Sequence, residues 1–305
     1  MINTRNEWDP LKSVVVGSAI CANWPTDDPV FQKESEKTTW KESPVPAGPV
    51  PDWIIEETEE DLAGLCNILT KLGVDVLRPD EYNFQAAGGM YNYCPRDRLL
   101  IWNNTVVDCA MMYPCREIET LSLDCVLSQA TDVRHMPRDQ GMILDAANVC
   151  RLGDTWLYLQ SPSGNNKARL WLEQEFPEVT IEDCNFYSGV HIDSTIVPLR
   201  EGLVLLNASR VTEKNCPRVF DSWEKIWITD VVAQDFYQYP YASKWIAMNM
   251  LVVDPSTVIV DAAQIEIITM LEARGITAIP HTLRHSRTLG GGFHCVTLDL
   301  ERTTL

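Results

Sequence analysis

The chain of 305 residues has no cluster of Lys or Arg: 25 basic residues are scattered against 43 acidic ones, for a net charge of −18. Nucleic acid and anionic membrane surfaces, which are held by basic patches, are therefore poor partners. The acidic balance favours solubility and is compatible with a cationic substrate. No apolar run approaches the roughly 20 residues of a membrane span, which rules out a transmembrane role. No C-x-x-C occurs, and the ten cysteines are irregularly spaced, which argues against a disulfide framework. The first nine residues are polar with no apolar signal region, so the expected setting is the reduced cytoplasm.

What the chain does have is an ordinary globular composition, 45% hydrophobic and 22% charged, enough for a sizeable core. Its length exceeds the usual single core, yet closed barrels and propeller-like repeats run this long as one domain. Ser13–Gly17 is a short β-branched run, read as a buried strand. Residues 22–52 carry six prolines and no apolar period, and are expected to be irregular surface with the option of acting as a lid. A helix is expected from Trp53 to Leu72, with an acidic start and leucines at helical spacing; Gly73 ends it and a strand follows at Val74–Leu77.

From there one unit recurs: strand, hairpin, strand, helix, strand. It reads as 98–102, 105–110, helix 117–128 and 132–136, then as 148–152, 155–159, helix 167–176 and 179–181. It continues as 194–199, 203–207, helix 219–225 and 227–228, and finally as 248–253, 257–260, helix 264–274 and 276–279. The last strand, 296–300, has no helix of its own. It is expected to pair beside Ser13–Gly17 and close a ring of five units, leaving no open edge.

Polar residues precede the first strand of each unit: Asp97, Asp145, His191 with Asp193, Ser243, and Cys295 before the closing strand. Equivalent positions in a pseudo-symmetric ring lie at the same end, so these residues are expected to share one central pocket. Cys295 follows Gly290-Gly291-Gly292, a turn read as letting a substrate lie against the main chain. A thiol there is a candidate nucleophile, and His191 backed by Asp145 is the candidate proton shuttle. Further carboxylates facing a thiol would repel an anionic electrophile. They suit a guanidinium, which two carboxylates can grip while its carbon faces the sulfur.

On Asn6-Glu7-Trp8-Asp9-Pro10-Leu11, Cys94-Pro95-Arg96-Asp97, Leu144-Asp145-Ala146-Ala147, His191-Ile192-Asp193-Ser194-Thr195, Ser243-Lys244-Trp245 with Met248-Asn249, and Leu289 to Cys295, the sequence resembles the arginine:glycine amidinotransferase family of the guanidine-modifying, or pentein, superfamily. The resemblance implies an α/β fold, a five-module β/α propeller forming one domain over 1–305. It implies transfer of the amidino group of arginine to an acceptor amine, with glycine first and a larger amine as the alternative. By the same resemblance Cys295 is the nucleophile, His191 the general acid and base, Asp145 its partner, and Asp97 and Asp193 the guanidinium ligands. Arg210 would hold the substrate carboxylate and Ser243 would help to bind the amino acid end. No cofactor or metal is implied; the partners are small molecules, and a homodimer is allowed.

Three departures from the family pattern stand out: Asn148 replaces a family Asp, Ala242 a serine, and 187–190 differs from the glycine-using enzymes. Small side chains at Ser188 and Val190 would admit an acceptor larger than glycine. The rival readings are a hydrolase releasing citrulline, an inactive arginine-binding module, and a metal site on His191, Asp193, His294 and Cys295. Strand alternation, which would point His294 and Cys295 to opposite faces, disfavours the last.

Overall fold

Four runs of apolar, β-branched residues each lead through a tight turn into a second such run, and in the computed structural model each of these pairs becomes the antiparallel half of a three-stranded sheet. The structure describes residues 2–36, 46–187, 189, 191–233 and 241–303. Leu99–Trp102 pairs with Thr105–Asp108, Val149–Arg151 with Thr155–Leu159, Ile196–Arg200 with Leu203–Asn207, and Leu251–Asp254 with Thr257–Asp261. In each sheet the second strand then takes a parallel outer partner: Asp132–His135, Thr180–Cys184, Glu224–Ile228 and Thr277–His281 respectively. The fifth sheet is assembled from the two ends of the chain. Thr297–Arg302 runs antiparallel to Leu11–Val16, which pairs in parallel with Asp75–Leu77. The ring thus closes as the hydrophobic pattern requires, giving the five-module pentein fold.

The crossover helices depart more from expectation. Asp52–Lys71, Asn166–Glu175 and Ile265–Glu272 form as α-helices close to the expected bounds. In the second module the expected helix is instead a 3-10 segment, Pro114–Ser122, followed by one α-turn, Asp124–Leu127. The tighter winding eclipses residues three apart, and it brings Arg116 onto Glu119, a buried pair with Nε to Oε1 at 2.7 Å. The expected helix at 219–225 is absent: one 3-10 turn, Arg218–Phe220, follows Pro217, and the chain is already in strand from Glu224. The apolar i, i+3 spacing there serves an aromatic contact between Phe220 and Trp223, with centroids 5.0 Å apart, and not a helix face.

Residues 22–52 are not irregular throughout. Asp28 caps a helix over Pro29–Ser35, accepting from the amides of Val30 and Phe31, while its other oxygen accepts from Cys115 N at 2.9 Å. Phe31 packs edge-on against Tyr113 and beside Tyr241. An Asp immediately before Pro29 at the first helical turn is the sequence signal for this helix. Residues 37–45 of the segment lie outside the described residues.

Buried charge joins the two ends of the chain to the ring. Arg151 grips both carboxylate oxygens of Glu7, at 2.8 and 2.9 Å, and also reaches Asp299 at 3.1 Å. Arg302 donates to Asp299, to the carbonyl of Asp9 and to that of Val252. Such clusters are costly to desolvate and tolerated only when every partner is satisfied. Here the forks and carboxylates complete one another, and the Asn6–Asp9 segment is tied across the ring. Among the described residues no helix is long and apolar enough to cross a membrane.

Candidate active site

The residues before the inner strands sit on short turns that do not extend the sheets. Asp97 lies in the single helical turn Pro95–Arg98, Asp145 precedes the 3-10 turn Ala146–Asn148, and Ser243 precedes Lys244–Met248. Each turn brings its polar side chain over the same end of the ring. Asp97, Asp145, His191, Asp193, Arg210, Ser243 and Cys295 all line one cavity of about 400 Å³. Ser188 and Val190 lie outside the described residues.

Cys295 is buried in the cavity floor and clamped by a residue to which the sequence assigned no role. Asn249 Nδ2 donates to Cys295 Sγ at 3.2 Å, while Asn249 Oδ1 accepts from Cys295 N at 2.9 Å. Two of the glycines before it are required by the protein's own packing. A Cβ on Gly292 would stand 2.7 Å from Asn249 Cβ and 2.8 Å from its carbonyl oxygen. One on Gly291 would stand 2.4 Å from Cys94 Sγ. Gly290, at φ +79°, takes the left-handed turn and also borders the cavity. The neighbouring Cys94 thiol, burial and the Asp193 carboxylate hold the Cys295 thiol well above its usual range, against the opposing pull of His191.

His191 Nε2 faces Asp145 Oδ2 at 3.1 Å, and its Nδ1 is 3.7 Å from Asp97 Oδ1. Burial disfavours the imidazolium, but the two carboxylates outweigh it and raise His191 well above the ordinary histidine value. Asp145 is fixed in turn by Met112 N, which donates to Oδ1 at 2.8 Å. Asp97 is held from one side only: Arg116 Nη1 donates to Oδ2 at 2.8 Å, whereas the buried Oδ1 has no hydrogen-bond partner among the described residues. Oδ1 thus faces the cavity with the His191 ring 3.7 Å away and its hydrogen-bonding capacity open to a ligand.

Asp193 Oδ2 accepts from the Cys295 thiol at 3.2 Å and lies 2.9 Å from His294 Nδ1. His294 Nε2 reaches Glu7 Oε2 at 3.2 Å, which links this carboxylate to the buried charge cluster. With burial opposing, His294 foremost and then His191 bring Asp193 down to about 2. The alternation argument that separated His294 from Cys295 fails here, because 293–296 is a turn and the strand begins only at Thr297. Both side chains meet Asp193. Among the described residues no group of three or more His, Cys, Asp or Glu side chains is arranged to hold a metal ion.

Across the cavity, Arg210 Nη1 donates to Thr195 Oγ1 at 2.8 Å and Ser194 Oγ at 3.1 Å, and Nη2 to Ser243 Oγ at 3.5 Å. The guanidinium stacks 4.1 Å above the Tyr187 ring and makes no ion pair with a carboxylate among the described residues. Its charge is available to an anionic group. Asn148 is buried outside the cavity lining, donating to Ser163 O at 2.6 Å and to Ser163 Oγ at 2.8 Å. An ionised carboxylate there would face the Ser163 carbonyl without a proton to give, so the Asn is matched to its surroundings.

The cavity thus gathers two carboxylates, a thiol and an imidazole, with the Arg210 guanidinium across from them. No protein-family model matches the chain. It is 40% identical over 338 residues to inosamine-phosphate amidinotransferase 1 of Streptomyces griseus, covering 99% of this chain and 97% of that protein. It is 27% identical over 345 residues to the mitochondrial glycine amidinotransferase of Gallus gallus, covering 97% and 82% respectively. A solved structure of inosamine-phosphate amidinotransferase from Streptomyces griseus superimposes with a TM-score of 0.92 at 38% identity, over 100% of this chain and 98% of that one.

Proposed function

We propose, since the chain belongs to the amidinotransferase family, that it carries an amidino group from L-arginine, through a covalent adduct on Cys295, to an acceptor amine larger than glycine. The observation that carries this reading is the buried Asp97 Oδ1 without a hydrogen-bond partner, set with Asp193 around the thiol. A guanidinium completes both carboxylates and turns its carbon toward Sγ.

In this reading Arg210 receives the α-carboxylate of arginine, with Ser243 beside it, and the side chain extends toward Cys295. Without substrate the thiol is held protonated; a cation between Asp97 and Asp193 offsets their charge and favours the thiolate. Sulfur attacks the guanidinium carbon, His191 gives a proton to the departing nitrogen, and ornithine leaves an amidino-cysteine. His191, held by Asp145, then takes a proton from the acceptor amine as it attacks, and the sulfur leaves as the thiolate that began the cycle. Two half-reactions sharing one covalent intermediate predict ping-pong kinetics.

Glycine, the acceptor put first from the sequence, gives way to an amine of the inosamine phosphate kind. The similarity to an inosamine-phosphate enzyme, 40%, exceeds that to a glycine enzyme, 27%. A cavity of about 400 Å³ bordered by Tyr91, Tyr113, Tyr187 and Tyr241 has room for a ring. The helix Pro29–Ser35 presents Glu34 to the same cavity, and we assign this segment the covering role that keeps water from the amidino-cysteine. Ser188 and Val190 remain the residues proposed to admit the larger acceptor.

The test is intact-protein mass spectrometry after brief incubation with arginine alone, beside Cys295→Ala, with ornithine and citrulline quantified. An amidino adduct with stoichiometric ornithine, absent from the variant, is expected, followed by faster turnover with an inosamine phosphate than with glycine. Catalytic citrulline would replace the transferase reading with a hydrolase, and absence of both adduct and product would remove it. Faster turnover with glycine would reverse the acceptor assignment.

A further inference from the structure

Beside the nucleophile lies a second thiol that the transfer reaction does not use. Cys94 and Cys295 come from segments about 200 residues apart, and both are buried and free. Their side chains meet in the space beside Gly291: the position of a Cβ there is 2.4 Å from Cys94 Sγ and 3.2 Å from Cys295 Cβ. Each thiol bears on the other's ionisation, Cys94 raising Cys295 and Cys295 lowering Cys94. Neither segment is loose. Tyr91 and Tyr93 donate from their hydroxyls to the carbonyls of Leu289 and Gly291, at 2.8 and 3.1 Å, and Ser18 N donates to Asn92 O at 2.9 Å. Of the pair, Cys295 borders the cavity, so a small oxidant reaches it through the substrate's own entrance.

We propose that Cys94 and Cys295 form a redox-convertible pair, in which a hydroperoxide oxidises Cys295 and Cys94 closes it to a disulfide that is inactive but recoverable. In the first step the Cys295 thiolate attacks one peroxide oxygen; the S–O bond forms, the O–O bond breaks, and two electrons pass from sulfur to the departing oxygen, which leaves protonated. In the second the Cys94 sulfur attacks Cys295 sulfur; the S–S bond forms, the S–O bond breaks, and the hydroxyl departs as water with the Cys94 proton. A dithiol reductant returns two electrons and two protons. Without Cys94 the sulfenic acid has no resolving partner and proceeds to the sulfinic acid, which a dithiol does not reduce. Because the thiolate is the reacting form and burial raises both thiols, oxidation is slow near neutrality and accelerates as pH rises. The pair's chemistry stands independently of the transferase reading; only its consequence for activity rests on Cys295 as nucleophile.

The experiment treats the reduced full-length chain with hydrogen peroxide across pH 7 to 9, then follows intact mass, peptide maps without reductant, and arginine-dependent turnover. The expected result is a loss of about 2 Da, a peptide linking Cys94 to Cys295, and turnover restored by dithiothreitol. Cys94→Ala is expected to gain about 16 and then about 32 Da and to stay inactive after dithiothreitol. Linkage through other cysteines, no loss of mass, or equal recovery in Cys94→Ala would each overturn the proposal. Should Cys94→Ala fail to fold, Cys94→Ser takes its place, and the wild-type peptide map decides alone. A Cys94–Cys295 link in a protein that forms no adduct with arginine would leave the thiol pair standing and remove the transferase reading.

Discussion

Asn249 makes two contacts with Cys295, and Asn249→Leu removes both while keeping the branching at Cγ. The lost donor, Nδ2 at 3.2 Å from Sγ, matters most when the sulfur is charged. A hydrogen bond to a charged group is worth about 1.5–3 kcal/mol, so its loss raises the thiol further. Since the thiol already lies well above its usual range, at pH 8 only a small fraction is thiolate, and the rate of alkylation scales with that fraction. Iodoacetamide labelling of Cys295, followed by peptide mass spectrometry at pH 8, is therefore expected to slow by roughly 10- to 100-fold. The lost acceptor, Oδ1, leaves the buried Cys295 N–H unpaired, which costs about 1–3 kcal/mol and lowers the melting temperature by several degrees. Labelling depends on sulfur alone, so the outcome does not depend on which substrates the enzyme uses. A folded Asn249→Leu that labels within about twofold of the parent would refute the clamp as a support for the thiolate.

Asp145→Asn removes one of the two carboxylates that raise His191. Turnover should fall about 10²- to 10⁴-fold, and the His191 titration followed by NMR should move toward the ordinary value. A raised folded pKa adds stability that is complete below the unfolded histidine value and fades as pH rises through the folded one, so the stability lost in Asp145→Asn should be largest near pH 6 and shrink at alkaline pH. An equal loss at both ends of that range would show the pair to be packing alone. Arg210→Ala should raise KM for arginine by about 10- to 100-fold with a much smaller change in kcat, because it deletes a binding charge and no reacting group; a fall in kcat with KM unchanged would contradict its place as the carboxylate receptor. Gly292→Ala should cost about 10-fold or more in turnover, since its Cβ would displace Asn249 backbone and side chain together, and normal activity would show that the turn yields without moving the clamp.

The fold was legible because its signals are local and repeated. Runs such as Leu203–Asn207, fully buried along their length, can only be inner strands, and a repeating turn spacing leaves few ways to arrange five of them. The crossovers were less legible. The apolar spacing of Phe220 and Trp223 suits a helix or a single aromatic contact equally, and the length of the connection decides. In the second module the 3-10 winding goes with a buried Arg116–Glu119 pair, and neither residue advertises burial by its type.

The site divides in the same way. Residue type and placement before a strand were enough to select Asp97, Asp145, His191, Asp193, Ser243 and Cys295, because pseudo-symmetry converts a repeated position into a common location, while Arg210 came from the family motif. Three things had no signal in one dimension: that Asn249 would face the sulfur, that Cys94 and Cys295 would share the space beside Gly291, and that His294 would join Asp193 to Glu7. Each depends on distances between segments 46 to nearly 300 residues apart. By itself the sequence determined which groups can react and the ring that gathers them, since hydrophobic periodicity and residue chemistry are properties of short stretches. Only the tertiary structure decided how those groups are charged, paired and left open, because burial and partner distance, which set every pKa and every unsatisfied bond here, exist only once the ring has closed.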